Sequence, residues 1–142
     1  MPNRDPIEIA ARSLRRHDRS RSEIDASLAK AGIGDDERAD ALETLERVGY
    51  LDDERYARTR AEALAARGFG DSGIRFDLER HGVTVEVAAA ALATLTPEPD
   101  RAAALVERFG RSQKTAARLS RKGFASESLE TALGDVVRPD GP

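Results

Sequence analysis

The chain has 142 residues, 39% apolar, 35% charged and 4% aromatic, with a formal net charge of −3 and no cysteine. The absent thiols exclude disulfides and thiolate metal sites. The acid excess excludes a uniformly basic nucleic-acid binder. No apolar run approaches a membrane span or signal core, so the chain is read as soluble and cytoplasmic.

Ala, Leu, Arg and Glu dominate, all good helix formers. In chain order, Asp5-Pro6-Ile7-Glu8 supplies an N-cap, a first-turn proline and an acid, opening a helix with Ile7, Ala10, Ala11 and Leu14 on one face. Ser20-Arg21-Ser22-Glu23 is a capping box for a second helix, which buries Ile24, Leu28 and Ala31 and stops at Gly32. A third begins near Asp35 or Asp36 and carries Ala41, Leu42, Leu45 and Val48 before Gly49. A fourth starts at Asp52 or Asp53 and runs through Tyr56, Ala57, Ala61 and Leu64 to about Arg67. After the Gly68-Phe69-Gly70 turn, a fifth helix around Ile74 and Leu78 ends at Gly82. Thr84 caps a sixth, whose inner face is Val87, Ala88, Ala91, Leu92 and Leu95. Thr96-Pro97-Glu98 opens the seventh, with Pro97 suited to its first turn. The last three helices centre on Leu105, on Leu119, and on Leu129 to Val137.

These elements repeat. Ile24…Leu28…Gly32-Ile33 returns as Ile74…Leu78…Gly82-Val83, and more loosely as Thr115…Leu119…Gly123-Phe124, at offsets of 50 and 41 residues. Leu14, Leu64 and Leu105 keep the register upstream, and Leu42, Leu92 and Leu133 keep it downstream. Such a period marks a stacked helical array. The predicted fold is all-α: an elongated array of three tandem three-helix repeats, about nine helices, with no β-sheet. The repeats span residues 5–49, 50–96 (with a lengthened first helix) and 97–138, and residues 139–142 form a frayed tail.

No catalytic constellation emerges. His17 and His81 lack partners at ligand spacing and are read as helix C-terminal residues. The triplets Asp35-Asp36-Glu37 and Asp52-Asp53-Glu54 sit where helices begin and are read as caps and dipole partners rather than metal ligands. Gly68-Phe69-Gly70-Asp71-Ser72-Gly73 lacks the strand and lysine of a phosphate loop. No catalytic residue, metal or cofactor is assigned, and binding is favoured over enzymatic activity.

Charge is distributed unevenly. From Arg101 to Lys122 there are seven bases against one acid, Glu107, whereas Glu23 to Arg60 holds eleven acids against six bases. Arg111, Lys114, Arg118, Arg121 and Lys122 recur at helical spacing, so much of this charge shares one face. That face is either a contact for phosphate or an acidic protein surface, or a solvated helix face.

The junction of the first two repeats reads Gly49-Tyr50-Leu51-Asp52-Asp53-Glu54-Arg55-Tyr56-Ala57. It is followed by Arg67-Gly68-Phe69-Gly70 and the Ile74…Leu78…Gly82-Val83 helix. This resembles the RecX family of bacterial recombination regulators. The resemblance implies a non-enzymatic negative regulator of the RecA recombinase, lying in the groove of the RecA–DNA filament. There it would restrain ATP hydrolysis, strand exchange and filament growth in DNA repair and the SOS response. One departure stands out: where the family places a proline and a base after the R-G-x-G turn, this chain has Asp71, Ser72 and Gly73.

Partner contacts are assigned to Arg75, Arg80, Arg111, Lys114, Arg118, Arg121 and Lys122. The junction signature comprises Gly49, Tyr50, Leu51, Asp52, Asp53, Arg55 and Tyr56; Tyr50, Leu51 and Tyr56 are read as core of the repeat junction. The partner set is the RecA filament, with weak contact to single- or double-stranded DNA and no membrane, and the chain is read as a monomer. The alternative is a helical-repeat DNA-binding protein acting on nucleic acid directly, disfavoured by net charge and by a lack of exposed aromatics for base stacking.

Overall fold

The computed structural model describes residues 5–134, which form nine α-helices and no strand. They are α1 (Pro6–Arg16), α2 (Arg21–Lys30), α3 (Asp35–Arg47), α4 (Asp53–Ala66), α5 (Asp71–Arg80), α6 (Val85–Ala93), α7 (Glu98–Phe109), α8 (Gln113–Arg121) and α9 (Ser126–Leu133). Val136, Val137 and the tail lie outside the described residues.

The local signals act where the residues place them. Asp5 Oδ1 accepts from Ile7 N at 3.0 Å, and Thr84 Oγ1 accepts from Val87 N at 3.2 Å. Ser20 and Glu23 close a reciprocal capping box at 3.1 and 3.0 Å, satisfying two free N–H groups of α2. The second helix of each triplet ends in one and the same turn. Gly32, Gly82 and Gly123 take φ of 88°, 88° and 93°. The amides of Ile33, Val83 and Phe124 then donate back to the carbonyls of Leu28, Leu78 and Leu119, each at 3.1 Å. This six-to-one closure is accompanied by burial of those three apolar side chains, as a Schellman turn requires.

Three separate cores result. Ile24, Leu28, Ala41, Leu42 and Leu45 centre the first; Ile74, Leu78, Ala57, Ala61 and Ala88 the second; Leu119, Val106, Ala102 and Leu133 the third. Each fully buried Leu or Ile contributes about 1.5–3 kcal/mol of transfer free energy. Small residues let three short helices approach closely around so few large ones.

Several local expectations are corrected. Ala31 is exposed, because it already sits at the C-cap of α2, and Val48 is 57% exposed for the same reason at the end of α3. Pro97 occupies the N-cap of α7 rather than its first turn, which holds Pro99 instead. The Asp35 triplet makes no capping hydrogen bond, since Gly34 is the N-cap. Its carboxylates face the α3 dipole, and Asp35 pairs with Arg38 at 2.7 Å. Asp52, in contrast, does cap α4, accepting from Arg55 N at 3.1 Å.

The triplets join through their second helices. Ser20 Oγ donates to the carbonyl of His81 at 2.6 Å, so the start of α2 sits on the end of α5. In the same register, Gly70 N donates to the carbonyl of Lys122 at 2.8 Å, so the start of α5 sits on the end of α8. The three helices thus follow one another end to end, each positive terminus meeting the next one's negative terminus.

Candidate partner-binding face

The joint between α5 and α8 is ringed by basic side chains. Gly70, Gly73 and Gly123 allow two backbones to touch. A Cβ on Gly70 would lie 2.5 Å from Phe124 N, and one on Gly123 would strike the amide of Gly73. Ser72 N adds a hydrogen bond to the carbonyl of Gly123 at 3.2 Å. This explains the Asp-Ser-Gly run after the R-G-x-G turn: Ser72 supplies a needed N–H and Gly73 the needed space. Asp71 is turned inward and pairs with Arg101 at 2.8 Å, whose side chain is only 10% exposed.

Around that joint lie two adjoining grooves of about 450 and 350 Å³ that share Phe109, Arg118 and Lys122. Lys114 and Arg121 line one, Arg67 and Arg108 line the other, and among the described residues no carboxylate lines either. Two rings organise the cations. Arg118 lies 4.0 Å and Arg108 5.0 Å from the Phe109 centroid, while Lys122 lies 4.2 Å and Arg67 5.6 Å from that of Phe69. Cation–π contact of this kind holds a charge in place without neutralising it. Among the described residues, none of these six cations has an ion-pair partner. By comparison, Arg21, Arg38, Arg55, Arg60 and Arg101 are all paired.

Of the seven residues assigned to partner contact, Lys114, Arg118, Arg121 and Lys122 therefore come together on one face. Arg111 does not: its Nη2 donates to the carbonyl of Leu133 at 2.9 Å, closing the end of α9. Arg75 and Arg80 are exposed on α5 and line neither groove. The sequence reading missed Arg67, Arg108, Phe69 and Phe109. Phe109 precedes Gly110, where helical spacing runs out, so periodicity carried no signal for it.

The junction signature divides as well. Leu51 and Tyr56 are buried, as expected. Burial, with Glu23 adding to it, pushes the Tyr56 phenol up to about 12. Tyr50 is the correction: it is 61% exposed, because Gly49, at φ 84°, turns the chain outward just before it. Arg55 locks that turn by donating to the carbonyls of Gly49 and Tyr50 at 3.0 and 3.3 Å. Asp53 accepts from Arg21 N at 2.7 Å, tying the second triplet to the start of α2. Partial burial raises its carboxyl above the ordinary range, and that hydrogen bond opposes the rise. The expectation that exposed aromatics are lacking is also overturned, since Phe76 and Phe109 join Tyr50 at the surface at 69% and 37%.

The two histidines end helices: His17 at α1, and His81 at α5, its Nδ1 2.7 Å from the carbonyl of Asp77. Among the described residues, no group of His, Cys, Asp or Glu is placed to hold a metal ion. No helix there is long and apolar enough to cross a membrane.

Comparison with known proteins places this architecture. A family model described as RecX, second three-helix domain, matches residues 52–92. The regulatory protein RecX of Chromohalobacter salexigens is 36% identical over 137 residues, covering 90% of each chain. That of Xanthomonas oryzae pv. oryzae is 32% identical, covering 89% of this chain and 86% of its own. The crystal structure of RecX from Lactobacillus salivarius superposes with a TM-score of 0.80 at 20% identity, over 92% of this chain and 94% of that one. A second crystal structure, of a regulatory protein RecX, gives 0.73 at 23% identity, over 90% of this chain and 72% of that one.

Proposed function

The chain belongs to the RecX family of regulatory proteins, and on that premise we propose that it is a negative regulator of the RecA recombinase, seated in the groove of the RecA–DNA filament. There it restrains ATP hydrolysis, strand exchange and filament growth. The observation that carries this reading is the basic face around Phe109 and Phe69, which among the described residues has no ion-pair partner and no carboxylate in either groove. A stack of repeats offers an extended surface matched in kind to a helical polymer. On it, fixed cations steer and register an anionic partner surface.

The work is done by occupancy rather than chemistry. Arg118 and Arg121 are stiffly presented by α8, whose own buried face is pinned by Thr115, Ala116 and Leu119. Binding along the groove holds adjacent subunits in one arrangement, and hydrolysis and growth slow because both need that arrangement to change.

The test is a titration of the protein into RecA with single-stranded DNA and ATP, following hydrolysis and filament length. Inhibition near stoichiometric ratios is expected; none at any ratio would sink the proposal. Arg118→Glu with Arg121→Glu should raise the half-inhibiting concentration about tenfold or more with helicity unchanged, and equal inhibition would retire the site.

A second reading, direct binding of nucleic acid, draws support from the Arg108 and Arg118 guanidinium groups held over Phe109, whose planes are surfaces on which a base can stack. Tight, salt-sensitive binding to bare DNA without any effect on RecA would favour it.

A further inference from the structure

The charge asymmetry has a fine structure. On α3, Asp36, Ala39, Asp40 and Glu43 lie on one exposed face at successive spacings of three, one and three residues. On α8, Lys114, Ala117, Arg118 and Arg121 lie on one exposed face at the same spacings. The two rows match position by position: acid against base, alanine against alanine, acid against base, acid against base. Each spans two helical turns, about 10 Å. None of the six charged side chains has an ion-pair partner among the described residues.

The alanines are as informative as the charges. Charges on the exposed faces of two helices set partner and register, as at the edges of a coiled coil. In both rows the alanine lies at one edge of the charged stripe, where its small side chain leaves room for a second helix, and both rows are solvent-exposed. They lie in the first and third triplets, each belonging to a different core.

We propose that the acidic α3 face of one copy docks on the basic α8 face of a second copy, so that the protein self-associates through a salt-sensitive contact that covers its own partner-binding face. Exposed ion pairs are individually weak, so three of them give an association that forms at high protein concentration and low salt. An anionic partner of higher charge density displaces it. The contact would make the free protein self-shielding and its release a consequence of partner binding. The self-association does not rest on the RecA reading, because both rows and their match are properties of this chain alone; the shielding of a partner-binding face does.

The experiment uses the protein alone, without RecA or DNA, so the two readings fail separately. Weight-average mass is followed by equilibrium sedimentation as concentration rises, at about 0.02 M and about 0.5 M salt, between which screening shortens from roughly 20 Å to a few ångströms. Mass should rise above that of one chain at low salt and return to it at high salt. Arg118→Glu with Arg121→Glu makes both faces acidic, and Asp40→Arg with Glu43→Arg makes both basic, so each variant alone should stay at one chain's mass. Mixed together they should associate again, since each supplies the face the other lacks. A single-chain mass for the unaltered protein at low salt would overturn the proposal. So would association that persists in either variant alone, or a mixture of folded variants that fails to associate. Far-ultraviolet circular dichroism establishes that the variants are folded, and the salt series on the unaltered protein needs no variant.

Discussion

The two joints of the stack occupy the same register and are built differently. At the first, a side chain does the bonding: Ser20 Oγ reaches the carbonyl of His81, and Ser22 fills the space above Gly82. At the second, backbone bonds backbone: the amides of Gly70 and Ser72 reach the carbonyls of Lys122 and Gly123, with Gly73 and Gly123 in contact. The second joint adds the shielded Arg101–Asp71 pair and the Phe69–Lys122 contact. A serine side chain has a rotamer to lose and regain, whereas two backbones have none. The second joint is thus the stiffer, and it is the one that carries the basic face, where fixed geometry helps a binding surface most.

Substituting the paired glycines breaks this comparison most directly. Gly123→Ala places a methyl into the backbone of Gly73 at a φ of 93° and should cost about 3–4 kcal/mol, strain and overpacking together. Gly82→Ala, at a φ of 88°, meets the Cβ of Ser22, which yields only if the start of α2 shifts; with no backbone atom closer than 3.7 Å it should cost somewhat less, about 2–3 kcal/mol. Urea unfolding of the two variants measures the difference; equal losses would mean that the joints are equally stiff. Next in size, Arg101→Ala leaves Asp71 unpaired and removes the cation over Phe124. It should cost about 2 kcal/mol and loosen the basic face, read as faster amide exchange at Gly70 and Ser72.

Ser20→Ala tests the first joint from its other side. It removes the N-cap of α2 and the bond to His81 together, and a loss of about 1–2 kcal/mol is expected in the same unfolding measurement. The smallest effect is a pH dependence belonging to the α4–α5 contact. Burial would raise the carboxyl of Asp77, but hydrogen bonds and charge from Arg60, with His81 and Arg80, outweigh it and leave the group below its ordinary value of 3.8. The stability this contributes is fully present above 3.8 and lost as pH falls through the lowered folded value. Stability should therefore fall between about pH 4 and the acid limit, by under about 1 kcal/mol given the partial exposure of Arg60. Asp77→Asn should flatten that part of the profile, and an unchanged profile would assign the loss to other carboxylates.

Much of this was legible in the residues. Capping at Asp5, Ser20, Asp52 and Thr84, and the recurring Leu–Gly–apolar turn, are local signals read within a few residues of where they act. Helical spacing also brought Lys114, Arg118, Arg121 and Lys122 onto one face. What spacing could not reach was the other wall of that groove. Arg67 and Phe69 sit in a turn in the second triplet, and Arg108 and Phe109 at a helix end, so no shared helix relates them to α8. Tyr50 was misread for a related reason: a ring in a helix–helix junction is ordinarily core, but the φ of Gly49 decided which way it pointed.

The sequence by itself determined the nine-helix repeat, its caps and turns and the polarity of its charge, because these depend on neighbours no more than a turn away along the chain. Only the tertiary structure decided that α2, α5 and α8 follow end to end. It alone decided that Asp71 faces inward, that Arg111 closes α9 while Arg118 lies over Phe109, and that two phenylalanines hold the cations in place. Those outcomes depend on contacts between residues tens of positions apart, whose free energy is settled by what the third dimension brings within a few ångströms.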